Sequence, residues 1–381
     1  MMTRLGDVCT VISGSTPKTS VAEYWDGDIK WITPAELNED SFYLYDSQRH
    51  ITELGKEKTG LSYMPIGTVI LSSRAPIGKT AIAGCEMCCN QGFKNLICSD
   101  DIFNEYLYYF LKGKTDYLNS LGRGATFKEI SKSIVENIEI RLPALEEQKQ
   151  IARQFGEIYR LISLRKQQLA RLDELVKARF VELFGDTILN PFGWKKDLLG
   201  TVCDVRDGTH DSPQYYESGY PLVTSKNVTG GKIDLTDCSL ICEADFKKIS
   251  ERSKVDIGDI IMPMIGTVGK PVIVDIEPNF AIKNVSLIKF KADSRVLNIY
   301  IRALLQSDYF DDAVLSKVRG GTQKFISLGD IRKLEVLVPP MELQEQFATF
   351  IKQTDKSKLA IQQSLDKLET LKRSLMQKYF E

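Results

Sequence analysis

The sequence of 381 residues predicts an α+β protein: two similar α/β globules joined by two long α-helices that form an antiparallel coiled coil with pseudo-twofold internal symmetry. Three observations predict it. The chain repeats itself: Leu5-Gly6-Asp7-Val8-Cys9-Thr10-Val11 returns as Leu199-Gly200-Thr201-Val202-Cys203-Asp204-Val205, and Leu142-Pro143 through Gln148 returns as Val338-Pro339 through Gln344. Within each copy, short runs rich in Val, Ile and Thr are bounded by Gly and Pro, the mark of strands and turns. After Pro143 and after Pro339 the pattern changes to apolar residues at steps of three and four, the mark of helices.

The first globule is expected over residues 1–143. Its strands are Val8–Ile12, Ile29–Ile32, Thr68–Ser72, Thr80–Ile82, Leu96–Cys98 and Ile138–Leu142, and its helices Phe103–Lys112 and Phe127–Val135. The first long helix is expected over 144–185, with Ile151, Phe155, Ile158, Ile162, Leu169, Leu172, Val176 and Leu183 along one seam and Arg165 and Arg179 interrupting it. The second globule, 186–339, repeats the plan: Trp31-Ile32-Thr33 corresponds to Leu222-Val223-Thr224, Ile66-Gly67 to Ile257-Gly258, and Gly78-Lys79 to Gly269-Lys270. The second long helix, 340–381, carries Phe347, Ile351, Ile361, Leu365, Leu368 and Leu375, interrupted by Thr354 and Lys358. At about 1.5 Å per residue, each is a rod of roughly 60 Å. A helix with a bare apolar stripe needs cover, so the two are expected to pair, with a globule toward each end. The alternative is that each packs on its own globule.

Composition narrows the function. No stretch has the roughly 18–20 apolar residues needed to cross a bilayer, and the first residues lack a secretory apolar run, so a cytoplasmic location is expected. Net charge is −1, which leaves room for a local basic face. Cys85, Cys88, Cys89 and Cys98 have the spacing of a zinc cluster, but the second copy has no matching group, and buried thiols are the better reading. Cys9 and Cys203 sit at equivalent places and read as core.

Catalytic machinery is hard to assemble. Only His50 and His210 are present, so a Ser/His/Asp triad has little material. Thr267-Val268-Gly269-Lys270-Pro271 lacks the first Gly and the Ser/Thr of a phosphate loop. Asn190-Pro191-Phe192-Gly193 lacks the second Pro of an amino-methyltransferase motif and reads as a turn after the helix. The globules instead offer Gly-rich basic turns at matching places: Ser73–Lys79 with Met264–Lys270, and Gly122–Lys128 with Arg319–Lys324. Such turns are ordinary architecture, or they admit phosphates to backbone N–H groups while Arg and Lys supply charge. The candidates for phosphate or base contact are Arg74, Lys79, Arg123 and Lys128 in copy one, and Lys270, Arg319 and Lys324 in copy two. Arg206, His210 and Lys226 come from the matching turns, and Lys94 and Lys283, each followed by Asn, form one more recurring pair.

These motifs together resemble the DNA-specificity (S) subunit of type I restriction–modification systems. Leu199 through Asp207-Gly208-Thr209-His210-Asp211-Ser212-Pro213 is similar to that family's D-G-T-H-x-T-P block, with Ser212 where Thr is usual. Leu5–Pro17, ending Ser13-Gly14-Ser15-Thr16-Pro17, resembles a sister version. Leu142–Ile151 and Val338–Phe347 resemble the family's P-P-x-x-E-Q lead into its helices, and Lys177–Gly185 its helix exit. The resemblance covers the whole chain and implies two target-recognition domains, each reading half of a split site in double-stranded DNA. It further implies helices that set the spacer and dock two methyltransferase (M) subunits. S-adenosylmethionine, magnesium and ATP would belong to partner subunits, among them a restriction/motor (R) subunit where the system carries one. The chain itself would hold no cofactor and catalyse nothing. The rival readings are a self-contained DNA methyltransferase or restriction enzyme, and a coiled-coil assembly scaffold without a DNA role.

Overall fold

A computed structural model describes residues 2–74, 76–124, 128–265, 268–310 and 325–381. The chain divides into two units: residues up to Gln168 together with Ile361–Glu381, and Leu169–Ala360. The boundary does not fall between globule and helix. The long helices Leu145–Phe184 and Met341–Phe380 each contribute one part to each unit.

In the first unit a five-stranded sheet has the order Cys9–Ser13, Lys94–Cys98, Val69–Leu71, Thr80–Ala83, Tyr43–Leu44. A three-stranded sheet has Trp25–Ile32 between Arg49–Ile51 and Cys88–Cys89, the last pairing parallel. Met2–Arg4 pairs antiparallel with Glu139–Arg141, closing the globule. The second unit has the same plan. Asp204–Asp207, Val285–Lys289, Ile260–Pro263 and Val272–Ile273 form the larger sheet. Tyr220–Val223 lies between Ser239–Ile241 and Ala281–Ile282, again with one parallel pair. Lys195–Leu198 with Glu335–Val338 closes it. The turns repeat as well: Gly67, Gly78, Gly258 and Gly269 all have left-handed φ, between 85° and 95°, which Gly adopts without a Cβ penalty. Thr33 and Thr224 cap short 3₁₀ turns through Glu36 and Asn227.

The expected strands sit within a few residues of the observed ones, but the helix expected over Phe127–Val135 is shorter. Residues 132–136 are helical, with Ser131 as the cap through its Oγ and the Ile134 N–H at 3.2 Å. Among the helices not foreseen are Glu53–Thr59 and Thr115–Leu121 in the first globule and Glu243–Ser253 in the second. Cys9 and Cys203 are buried, as are Cys88 and Cys89. Cys88 packs among Trp25, Trp31 and Ile51, and the Cys89 Sγ accepts from Asn95 Nδ2 at 3.0 Å. Burial pushes the Cys88 thiol up to about 11 and Cys89 to about 12. These are the thiols of a packed core. Among the described residues no group of three His, Cys, Asp or Glu could hold a metal ion, and no helix is long and apolar enough to cross a membrane.

Each unit encloses the start of one long helix and the end of the other, running antiparallel. In the first, Phe155 stacks on Phe380 at 5.4 Å, and Phe380 meets Tyr106 and Phe110. In the second, Phe180 and Phe184 meet Phe347 at 5.6 and 5.5 Å and pack on Tyr300. Each fully buried aromatic ring contributes about 1.5–3 kcal/mol. The helix seam and the packing on a globule are therefore one core, not alternatives. Ile151, Phe155, Ile158 and Ile162 are buried, whereas Leu169, Leu172 and Val176 are only half-buried. The Pro-x-x-x-x-Gln leads have a structural role. Gln148 is fully buried; its Oε1 accepts from Phe103 N at 2.8 Å, and its Nε2 donates to Asp101 O and Pro143 O, both 2.9 Å. Gln344 does the same with Leu297 N, Arg295 O and Pro339 O.

Candidate nucleic-acid interface

The first strand of each larger sheet runs into a loop that crosses the end of a neighbouring strand. Glycine permits the crossing. A Cβ on Gly14 would lie 2.2 Å from the Cys89 and Asn90 carbonyl oxygens, and one on Gly208 would lie 2.4 Å from Ile282 O. The next residue is pinned by its backbone: Ser15 N donates to Cys89 O at 3.1 Å, and Thr209 N to Ile282 O at 3.0 Å. In copy one the Trp31 indole also donates to Ser15 O at 3.0 Å. The residue after that turns its side chain across the gap. Thr16 Oγ1 donates to Gln91 Oε1; His210 Nδ1 meets Asn284 Oδ1 at 2.9 Å.

In copy two the site continues inward. His210 Nε2 lies 2.9 Å from Asp207 Oδ2, and the Arg252 guanidinium pairs with the other Asp207 oxygen. Asp207 is buried, while the His210 side chain is 60% exposed. Hydrogen bonding to Asn284 and then to Asp207 raises the His210 pKa above its ordinary value, with Arg252 opposing. Lys283 Nζ donates to Ser212 Oγ at 2.7 Å. A cavity of about 460 Å³ opens beside these groups, lined by Thr209, His210, Lys248 and Arg252 among others.

The other candidates divide by position. Arg74, Lys94, Arg123 and Lys128 gather about Glu129: Arg74 and Arg123 bridge to it through the backbone, and Lys94 Nζ lies 3.1 Å from its carboxylate. Lys94 is 8% exposed, so its charge is already paired inside the fold, whereas Arg123 and Lys128 are exposed. Arg74 lies beside Gly92, its Nε 3.5 Å from where a Cβ there would stand, and so adjoins Gln91. Copy two has Ile265 and Phe325 bridged at the corresponding place, so this cluster is not repeated by those residues. Lys79 donates to Pro34 O at 3.1 Å and Leu37 O at 2.6 Å, and it lines a cleft with Tyr159 and Lys166 of the first long helix. Its counterpart Lys270, exposed, lines a cleft with Lys177 and Lys358. Arg206 is held by Asp204 at 2.6 Å and donates to Arg252 O. Lys226 is exposed on its 3₁₀ turn. Arg319 and Lys324 lie outside the described residues.

One correction concerns Lys94 and Lys283, which are not counterparts. Strand register places Ser13 opposite Lys94 and Asp207 opposite Ser286. Since Ser13 corresponds to Asp207, Lys94 corresponds to Ser286, and the shared Lys-Asn dipeptide is coincidence. Four residues went unremarked in the sequence: Gln91, Arg252, the Arg49 guanidinium stacked 3.7 Å over Trp25, and Asn284 as a side chain in its own right. Only the register of the crossing strands identifies Gln91 and Asn284.

Comparison with known proteins agrees with this geometry. The family model for the type I restriction modification DNA specificity domain matches residues 1–174 and 191–373. The MjaIX type I restriction enzyme specificity subunit of Methanocaldococcus jannaschii is 32% identical over 379 residues, covering 91% of this chain and 85% of its own. The MjaVIII specificity subunit of the same organism is 25% identical over 395 residues, covering 98% and 90%. The crystal structure of a type I restriction-modification S subunit from M. genitalium superposes with a TM-score of 0.59 at 14% identity, over 100% of this chain and 96% of that one, a likeness of fold. With the family model spanning both repeats and a relative above 30% identity along most of its length, the chain belongs to the type I restriction modification DNA specificity family.

Proposed function

We propose that the chain is the sequence-reading subunit of a type I restriction–modification complex. Each globule reads one half of a split site in double-stranded DNA. The long helices set the gap between halves and dock two methyltransferase subunits, joined by a restriction/motor subunit where one is present. The working division is residues 1–143 and 186–339 for recognition and 144–185 and 340–381 for the helices. The chain is a reader and not an enzyme, working in the cytoplasm; S-adenosylmethionine, magnesium and ATP belong to its partners. The observation that carries this is the loop just described: one buried framework, built twice, presenting different polar side chains at the same place. A shared scaffold with altered tips suits two different half-sites. Arg74, Arg123, Lys128, His210, Lys226, Lys270 and Lys283 are the proposed basic contacts to DNA, whereas Lys79, Lys94 and Arg206 are bound within the fold.

The test is an exchange of residues 190–338 for the same segment of a relative, followed by selection of bound duplexes. One half of the recognised sequence should change and the other persist; a change in both halves would defeat independent globules. Inserting whole helical turns near Arg165 should alter the gap. Purified chain with DNA and labelled S-adenosylmethionine should transfer no methyl group without its partners; transfer by the chain alone would favour the self-contained enzyme. Binding without sequence preference in the assembled complex would favour the scaffold.

A further inference from the structure

The strand Cys9–Ser13 pairs antiparallel with Lys94–Cys98, and its first residue meets the last of its neighbour: Cys9 stands opposite Cys98. One step outward, Ser99 N donates to Val8 O at 2.9 Å, so Val8 and Ser99 form a hydrogen-bonded pair, and Cys9 and Cys98 are the non-hydrogen-bonded pair that follows. In such a pair the Cα atoms lie about 4.5 Å apart and both side chains leave the same face of the sheet. A disulfide spans Cα separations of about 4.4–6.8 Å, so the backbone already stands within reach of that bond. Both thiols are free and pack in the core of the first globule, Cys9 buried and Cys98 half-buried beside the exposed Ser99. Hydrogen bonding to Cys98, ahead of burial, pushes the Cys9 thiol up. The second globule keeps Cys203 at the place of Cys9, but the register that pairs Asp204 with Lys289 puts Phe290 opposite it. The shared core accounts for Cys9 and not for the thiol that faces it.

We propose that Cys9 and Cys98 form a reversible oxidation site, closing to a cross-strand disulfide with an oxidant of the disulfide class, for which oxidised glutathione is the probe. The Cys98 thiolate, on the accessible side, attacks one glutathione sulfur. A Cys98–glutathione bond forms as the S–S bond of the oxidant breaks, and one glutathione leaves as its thiolate. The Cys9 sulfur then attacks the Cys98 sulfur, forming the Cys9–Cys98 bond and releasing the second glutathione. The protein pair gives up two electrons and two protons, and the oxidant becomes two glutathione thiols. Burial keeps Cys9 from ionising first, which makes it the resolving thiol. The neighbouring thiols are placed otherwise: Cys88 packs among Trp25 and Trp31, and Cys89 Sγ accepts from Asn95. The bond ties the strand that enters the Ser13–Pro17 loop to its partner and closes residues 10–97, most of the first globule, into a ring. A cross-link over so long a loop restricts the opened chain and so favours the native sheet. The effect falls on one globule alone, because the other has Phe290 where a second thiol is needed.

The experiment uses the full chain, reduced, exposed to oxidised glutathione without denaturant, trapped by alkylation and mapped by mass spectrometry after digestion. Wild type should yield two peptides joined through Cys9 and Cys98, lighter by two hydrogens than the reduced pair and parted by dithiothreitol. Cys98→Ser should abolish the link, and Cys9→Ala should leave glutathione on Cys98 as the end product. Native-state hydrogen exchange of the linked chain should show the Thr10 and Ile97 amides, which face each other one step inward, protected about ten-fold more than in the reduced chain. The Arg206 and Leu287 amides at the matching place in the second unit should not change. The proposal is overturned by a native chain that stays unlinked, by a link that forms only in urea, or by preferred linkage of other cysteines. A link without added protection in the first unit, or with equal gains in both units, overturns it as well.

Discussion

Gln148→Ala isolates one structural device and gives it a magnitude. The side chain is fully buried and makes three hydrogen bonds, to Phe103 N, Asp101 O and Pro143 O, at 2.8, 2.9 and 2.9 Å. It thereby joins the first turn of a long helix to the N-terminus of the Asn104–Gly113 helix and to the close of the globule. Each such bond is worth about 1 kcal/mol net, and the truncation leaves one donor and two acceptors, all at part-buried bonds, without that partner. The sum is a loss of about 3 kcal/mol in the local opening free energy, or a factor of roughly 100 in an equilibrium constant. A global unfolding curve is a poor readout, because a chain of two units need not unfold in one step. Native-state hydrogen exchange is the direct assay. The Phe103 amide should lose about 100-fold in protection while Leu297, which answers to Gln344 in the other unit, keeps its own. Gln344→Ala should give the mirror result. A change below about three-fold at Phe103, or equal losses in both units, would refute the reasoning.

Three further outcomes are expected. Gly208→Ala forces a Cβ to within 2.4 Å of Ile282 O, backbone that cannot swing aside; it should cost roughly 3 kcal/mol in the second unit, measured by exchange protection there. Phe380→Ala removes a ring packed on Tyr106, Phe110 and Phe155 and should destabilise the first unit by about 3–4 kcal/mol although it lies at the far end of the sequence; faster proteolysis within residues 2–143, and not within 186–339, is the readout. His210 has a folded pKa above its unfolded value, so its bridge to Asp207 and Asn284 contributes fully below about pH 6.5 and is lost as pH rises through the folded value. Titration of its ring protons by NMR should give a midpoint above 6.5, and His210→Asn should abolish the associated rise in stability toward low pH.

The fold was legible where one side chain period or one turn residue decides the outcome. Apolar steps of three and four marked both long helices, and the Gly67/Gly258 and Gly78/Gly269 turns announced themselves because only glycine sits comfortably at such φ values. What stayed hidden depended on partners distant in sequence. Thr115–Leu121 carries too few apolar residues to announce a helix, and only Leu118 is buried. Phe180, Phe184 and Phe380 did not enter the expected seam because each answers to a globule residue, Tyr300 or Tyr106, as much as to the other helix.

The same reasoning explains why basic residues were a poor guide to the reading surface. A charge is visible in sequence, but its partner is not: Lys94 looked like a phosphate contact and its ammonium is paired with Glu129, while Lys79 is held by two backbone carbonyls. Matching dipeptides misled in the same way, since Lys94-Asn95 and Lys283-Asn284 agree in letters and disagree in register. Duplication preserves what the core requires, here Gly14 and Gly208, or Gln148 and Gln344, because changing them leaves a clash or an orphaned donor. Residues that discriminate between two half-sites are under the opposite demand and must differ between copies.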